Sequence, residues 1–309
     1  MSSLLGLDPQ SYVPHPVHSP DFGYPETNCW TDVLIELLHA HRREPLAGLG
    51  CTLALDHEGD QFTFFKPRQD EIEALYGIDI HELQPYRSYT SHLENQLAQG
   101  NTLILEVDAW WLPDTAGVSY RTAHAKTSIA VDTVEDDRLV YFHGSGLHEL
   151  RDEDRERVLV PDGLPGYVEV VRFDAGPPLE ASELRAVARE LLRDNLLRRP
   201  ARSPFLAFGE QLGRELDDVL AMSADDVHLF AFATTRMAGA AMALAAAHVR
   251  WVLGAPGIEA ADAFDAVAHT TRTLTMRLMR RKPFDASALV DALNADWSRA
   301  HGLLDDLLS

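Results

Sequence analysis

The chain has 309 residues, 46% of them hydrophobic, enough for two packed cores and with little left for long disorder. Its formal charge of −21, from 27 basic and 48 acidic side chains, excludes a phosphate backbone as the main partner, so no nucleic-acid role is expected. Two cysteines, Cys29 and Cys51, are too few for a disulfide scaffold, and the opening residues carry neither a basic start nor an apolar run; a cytoplasmic location with both thiols reduced is expected.

The first clear element in chain order is a helix over residues 30–42, where Val33, Leu34, Leu37 and Leu38 mark an apolar face. Short β-rich runs follow in CTLALD, QFTFF, TLILEVDAW, TSIAV, RLVYF and YVEVVRF, with helices expected over residues 70–76 and 91–99. AGPPLEASE then supplies a Gly-Pro-Pro break with Ser182 as a helix cap, and from there the sequence reads as helix after helix. Residues 229–253 include the run AGAAMALAAA, yet Arg236, His248 and Arg250 interrupt it, so a buried bundle helix is expected and no membrane span. The fold class is α+β: a mixed domain over residues 1–176 and an all-helical domain over 177–309.

Cys29 stands in TNCWTDVLIELLHA, immediately before the first helix. Its sulfur lies near the positive end of the helix dipole, which favours thiolate over thiol, and the helix start offers N–H groups to an oxyanion. The competing assignment is a buried apolar cysteine, which is how Cys51 reads, since it opens a strand-like run without a cap. A cysteine nucleophile needs a base and a group that orients the base. His124 begins a strand in YRTAHAKTSIAV and His143 ends the next in RLVYFHGSG, so a hairpin brings both to its open end; a one-residue slip places them on opposite faces. Lys126 shares the face of His124 and is a candidate for a substrate carboxylate or phosphate, against a solvated edge lysine. Asn28 and Trp30 beside the cysteine, and Trp110, are the other expected substrate contacts. His39 and His41 point apart on a helix, and HExxH, CxxC and P-loop patterns are missing, so neither a metal nor a nucleotide is expected.

The segments NCWTDVLIELLHA, GDQFTFFKP, LYGIDIHEL, EVDAWWLPDT, HAKTSIAV and YFHGSGLHEL together resemble the bacterial domain-of-unknown-function family 1839, over residues 27–150. A more distant similarity is to the N-terminal domain of the butirosin-pathway acyltransferase. That domain has a papain-like fold, and the protein moves an aminoacyl group from a carrier-protein thioester to an amine. The resemblance implies Cys29 as nucleophile, His124 as base, His143 as orienter and Asp108 as a further site residue. Gly144 follows His143 where the family pattern has asparagine, so an asparagine-oriented triad does not carry over.

The expectation is therefore a papain-like cysteine-enzyme domain, an N-terminal helix on an antiparallel sheet, acting as an acyltransferase. The alternatives are a peptidase or amidase of the same fold, or a binding protein. No resident cofactor is expected beyond the phosphopantetheine of a carrier-protein donor. The partners expected are an acyl or aminoacyl carrier protein and a small amine, with Arg277, Arg280 and Arg281 in RTLTMRLMRRKPF as the docking patch.

Overall fold

The computed structural model describes residues 2–160 and 166–309. The chain divides into two compact units, Met1–Pro45 with Gln69–Leu179, and Leu46–Arg68 with Glu180–Ser309. The last strand ends at Arg172 and the run of helices begins at Ala181. Residues 46–68, however, belong with the helical unit.

The first unit is built on an antiparallel sheet in the order β2, β7, β3, β4, β5, β6, with β1 pairing on β4. The strands are β1 (Ser2–Ser3), β2 (Asp79–Glu82), β3 (Thr102–Asp108), β4 (Lys126–Val134), β5 (Arg138–His143), β6 (Gly146–Arg151) and β7 (Val168–Arg172). Helix α1 (Cys29–Ala40) covers one face, and α3 (Tyr89–Leu97) and α4 (Asp152–Val158) cover the other; α2 (Gln69–Tyr76) leads into β2. On the second face Leu103, Leu105, Ile129, Val131 and Tyr141 pack with Leu93, Leu97 and Val158 in one core. Every other side chain of β3 and β4 enters this core, as strand pleating requires. After α2, Gly77 sits at φ +61, and a Cβ there would stand 2.4 Å from the Gly176 carbonyl oxygen, so the turn needs glycine.

The β4–β5 pairing carries one extra residue. Thr133 faces Val140, but Val131 faces Tyr141, leaving Asp132 as a bulge. The buried Asp132 carboxylate accepts hydrogen bonds from Leu5 N and Leu7 N, both at 3.0 Å, and its carbonyl accepts one from Leu4 N at 2.7 Å. The bulge thus pins the N-terminal segment. It also changes the parity of the hairpin beyond it.

In the second unit the helices are α5 (Ala181–Leu197), α6 (Pro204–Ala221), α7 (Ala224–Ala231), α8 (Met237–Leu253), α9 (Ile258–Met279) and α10 (Ser287–Leu308). The cap of α5 is Glu180, in a capping box with Glu183, rather than Ser182. Residues 238–246 of α8 are all buried, and α8 packs on α5 and α9. Its small side chains admit close neighbours, and it is buried nearly all round as an apolar helix must be. Among the described residues, the run Ala224–Leu253 alone is long and apolar enough to cross a membrane, and 67% of its most apolar window is buried.

CTLALD and QFTFF, expected as strands, are not. Pro45–Ala54 winds as 3-10 turns, and an isolated bridge joins His57 to Phe62. The apolar side chains of this segment enter the helical core instead: Phe62 meets Phe205 and Phe208 at 5.8 and 5.3 Å between ring centroids, and His57 Nε2 bonds Gln211 Oε1 at 3.0 Å.

Candidate active site

The α1 N-terminus is held from several directions. Asn28 caps it, its Oδ1 accepting from Thr31 N at 2.9 Å. Asp32, one turn in, accepts from Thr27 N at 2.8 Å and from Thr27 Oγ1 at 2.5 Å, which fixes the bend that delivers Cys29 as the first helical residue. Behind it, His18 bridges Asp32, at 3.3 Å, and Glu36, and Tyr12 also donates to Glu36. Burial alone would lower the His18 pKa; the hydrogen bonds and charges of the two carboxylates overcome it and push it up to about 9, so His18 is a cation between two anions. Trp30 is buried, and its Nε1 donates to Glu169 on β7, which also receives the Tyr167 hydroxyl at 2.7 Å.

Cys29 is partly exposed, and its Sγ lies 3.5 Å from Ser128 Oγ on β4. Ser128 stands opposite Glu106 on β3, and Lys126 opposite Asp108. Directly paired residues share a face, so Ser128, Glu106, Lys126 and Asp108 form a polar row on the α1 side. Lys126 Nζ bonds Glu106 Oε1 at 2.6 Å. His124 precedes β4, and its Nδ1 lies 2.5 Å from Asp108 Oδ2, with the ring stacked on Trp110 at 4.5 Å and 12°. Asp108 also accepts from Trp110 N and Ala125 N, at 3.0 and 3.3 Å. Burial raises the Asp108 pKa, but these donors outweigh it and hold the carboxyl below its usual range. An ionised carboxylate only accepts, so Nδ1 donates in this bond and Nε2 takes no part in it.

His143 does not orient His124. Its Nδ1 bonds Asp114 at 2.5 Å and its Nε2 bonds Thr127 Oγ1 at 2.8 Å, so both nitrogens are taken. The Asp132 bulge is the cause. Beyond it Ala130 faces Phe142, which sets His143 beside Ile129 and on the face of Thr127, opposite to Ser128 and Cys29. Asp114 also receives the Tyr141 hydroxyl. This second His–Asp pair is therefore a support under the core face.

The remaining expected contacts fall as follows. Asn28 is a helix cap and Trp30 a buried indole, so neither is presented to a substrate; both shape the cysteine's surroundings. Lys126 is exposed but paired with Glu106. Trp110 stacks on the His124 ring. Arg277 lies in the last turn of α9, Arg280 caps it, and Arg281 donates to the Met222 carbonyl, all in the helical unit. Sequence reasoning missed Ser128, Glu106, Glu169 and Asp114. Glu169 had a signal, a lone carboxylate within the apolar strand YVEVVRF.

Beside the His124–Asp108 pair is a cavity of about 400 Å³, lined by Tyr89, Trp111, Lys126, Arg157 and Val158 together with that pair. Cys29 is not among its lining residues. Among the described residues no hydrogen bond joins Cys29 to His124, and no cluster of three or more His, Cys, Asp or Glu side chains is arranged to hold a metal ion.

An antiparallel sheet carrying a helix-start cysteine and a His–Asp pair on one face, with a helical unit after it in the chain, is the class of protein these elements define. The chain belongs to the DUF1839 family: the family's N-terminal domain matches residues 13–173 and its C-terminal domain residues 181–306. No curated protein matches it.

Proposed function

We propose that the first unit is a papain-like cysteine enzyme that transfers an acyl or aminoacyl group from a thioester to an amine, with Cys29 as nucleophile and His124, oriented by Asp108, as base. The observation that carries this reading is the His124–Asp108 hydrogen bond on the sheet face that also receives the α1 N-terminus and Cys29. The distant resemblance to the butirosin-pathway acyltransferase supports the same chemistry.

In the first half-reaction Cys29 gives its proton to His124 Nε2 as Sγ attacks the thioester carbonyl. The C–S bond to the donor then breaks, and the departing thiolate takes that proton. In the second, an amine attacks the acyl-cysteine and yields a proton to His124; the C–N bond forms, the C–Sγ bond breaks, and Cys29 is reprotonated. The Cys29 backbone N–H, in the first turn of α1 and so without an intrahelical acceptor, supports the oxyanion. Contact between base and nucleophile forms in the substrate complex, as is common where unliganded catalytic hydrogen bonds are long.

The donor we propose is carried on a phosphopantetheine arm, with Arg277, Arg280 and Arg281 receiving its carrier protein. Hydrolysis is the second reading, favoured by the 70% exposure of the His124 side chain, which admits water to the base. Incubating the protein with an acyl-N-acetylcysteamine thioester, with and without an amine, separates the two. Amide formed only when amine is present supports transfer, free acid at the same rate in both supports hydrolysis, and no thioester consumption rejects both.

A further inference from the structure

The cavity beside His124 has a charge balance that names what it takes. Of its charged lining groups, Lys126 is paired with Glu106 at 2.6 Å and His124 with Asp108 at 2.5 Å. Arg157 stands apart: its guanidinium lies 5.6 Å from the Trp111 ring centroid and meets no carboxylate among the described residues. The other cation on that ring, Arg121 at 4.3 Å, is ion-paired with Asp154. Among the described residues the lining thus holds two ion pairs and one cation, Arg157, with no carboxylate partner, and its planar fork suits a carboxylate. The lining also carries the aromatic and apolar side chains of Tyr89, Trp111 and Val158.

Which half-reaction the cavity serves follows from its lining. It contains the base and lacks the nucleophile, so it is placed for the molecule that His124 deprotonates, and the acyl group on Cys29 lies outside it. We propose that this cavity is the acceptor site, and that the acceptor is a small amino acid whose amine faces His124 and whose carboxylate is held by Arg157, with a short apolar spacer between them. The assignment of acceptor rests on the acyl-transfer reading above; binding of the ligand does not. A volume of about 400 Å³ lies within the range of small-molecule sites and well exceeds such a ligand.

Calorimetric titration of the full chain with β-alanine and 4-aminobutyrate, each against the matching alkylamine, tests this directly. The carboxylate-bearing amines should bind at least about tenfold tighter than propylamine and butylamine, the scale of one charge-assisted contact. Arg157→Gln should bring the two sets level and Arg157→Lys should keep part of the difference; Arg157 is exposed on α4, so both variants should fold. Cys29→Ala should leave binding unchanged, and a failure of covalent chemistry in the unmodified chain with binding intact sinks the catalytic reading alone. Equal binding of both sets, no saturable binding by either amino acid, or an undiminished preference in Arg157→Gln overturns the proposal.

Discussion

His124 Nδ1 and Asp108 Oδ2 lie 2.5 Å apart at the end of the β3–β4 ladder, on the sheet face that receives the start of α1. Asp108 is fixed by two backbone donors and the ring by Trp110, so the imidazole presents Nε2 outward in one tautomer. His143, with both nitrogens bonded, has no such freedom.

Replacing Asp108 by asparagine keeps its shape and removes the charge that fixes the tautomer. Thiol release from an acyl thioester should fall by about 100-fold or more, the scale of general-base catalysis, with folding retained. Asp114→Asn, on the other face, should cost stability and leave the rate per folded molecule near that of the unmodified protein. Equal rate losses in the two variants would show that neither pair is specific to the chemistry.

The bulge at Asp132 should be an anchor. Asp132→Ala removes the acceptors of Leu5 N and Leu7 N from a fully buried position, which costs about 2 kcal/mol or more. Urea denaturation should report the loss, and amide exchange of residues 5–7 should accelerate ahead of the sheet. Unchanged exchange there would mean that β1 alone holds the segment.

Stability should fall on the acid side. His15, His41, His248 and His301 are held neutral by burial, each lowered to about 4, with Arg43 adding to the effect on His41. The unfolded chain takes up protons at these positions as pH drops through the ordinary value near 6.5, and the folded chain does not until about 4, so stability is lost across that interval. His18 works in the opposite sense: raised to about 9, it stabilises fully below 6.5, and its contribution disappears as pH rises through 9. Burial lowers His57 as well, so five histidines of this kind against His18 make the acid limb the steeper. Between pH 7 and pH 5 the loss should be on the order of 1 kcal/mol per buried neutral histidine. Denaturation midpoints that coincide at the two pH values would contradict the assignment.

Much of the architecture was legible because its signals are local. NCWTD carries a cap, a cysteine and a first-turn carboxylate, and the structure uses all three at the start of α1. TLILEVD, TSIAV, RLVYF and YVEVVRF are short runs rich in β-branched and aromatic residues, and became β3, β4, β5 and β7, buried on both faces. CTLALD misled because Cys51, Thr52, Leu53 and Leu55 are all buried, and a short run buried on every side has no period that separates strand from helix. The face of His143 was not legible either: one unpaired residue at Asp132, chosen by long-range bonds to Leu5 and Leu7, reverses it. Asp108 was legible as a strand-end carboxylate, but its choice of His124 depends on the β3–β4 register, which pattern alone leaves open.

The most direct test of Cys29 as nucleophile is intact-protein mass after incubation with a series of acyl thioesters, followed by peptide mapping of any adduct. One acyl addition is expected, mapped to Cys29, retained in Cys51→Ala and lost in Cys29→Ala; Cys51, buried in the helical unit, should stay unmodified in the folded protein. An adduct on Cys51, or none with any donor while Cys29→Ala consumes thioester as fast as the unmodified chain, would contradict it.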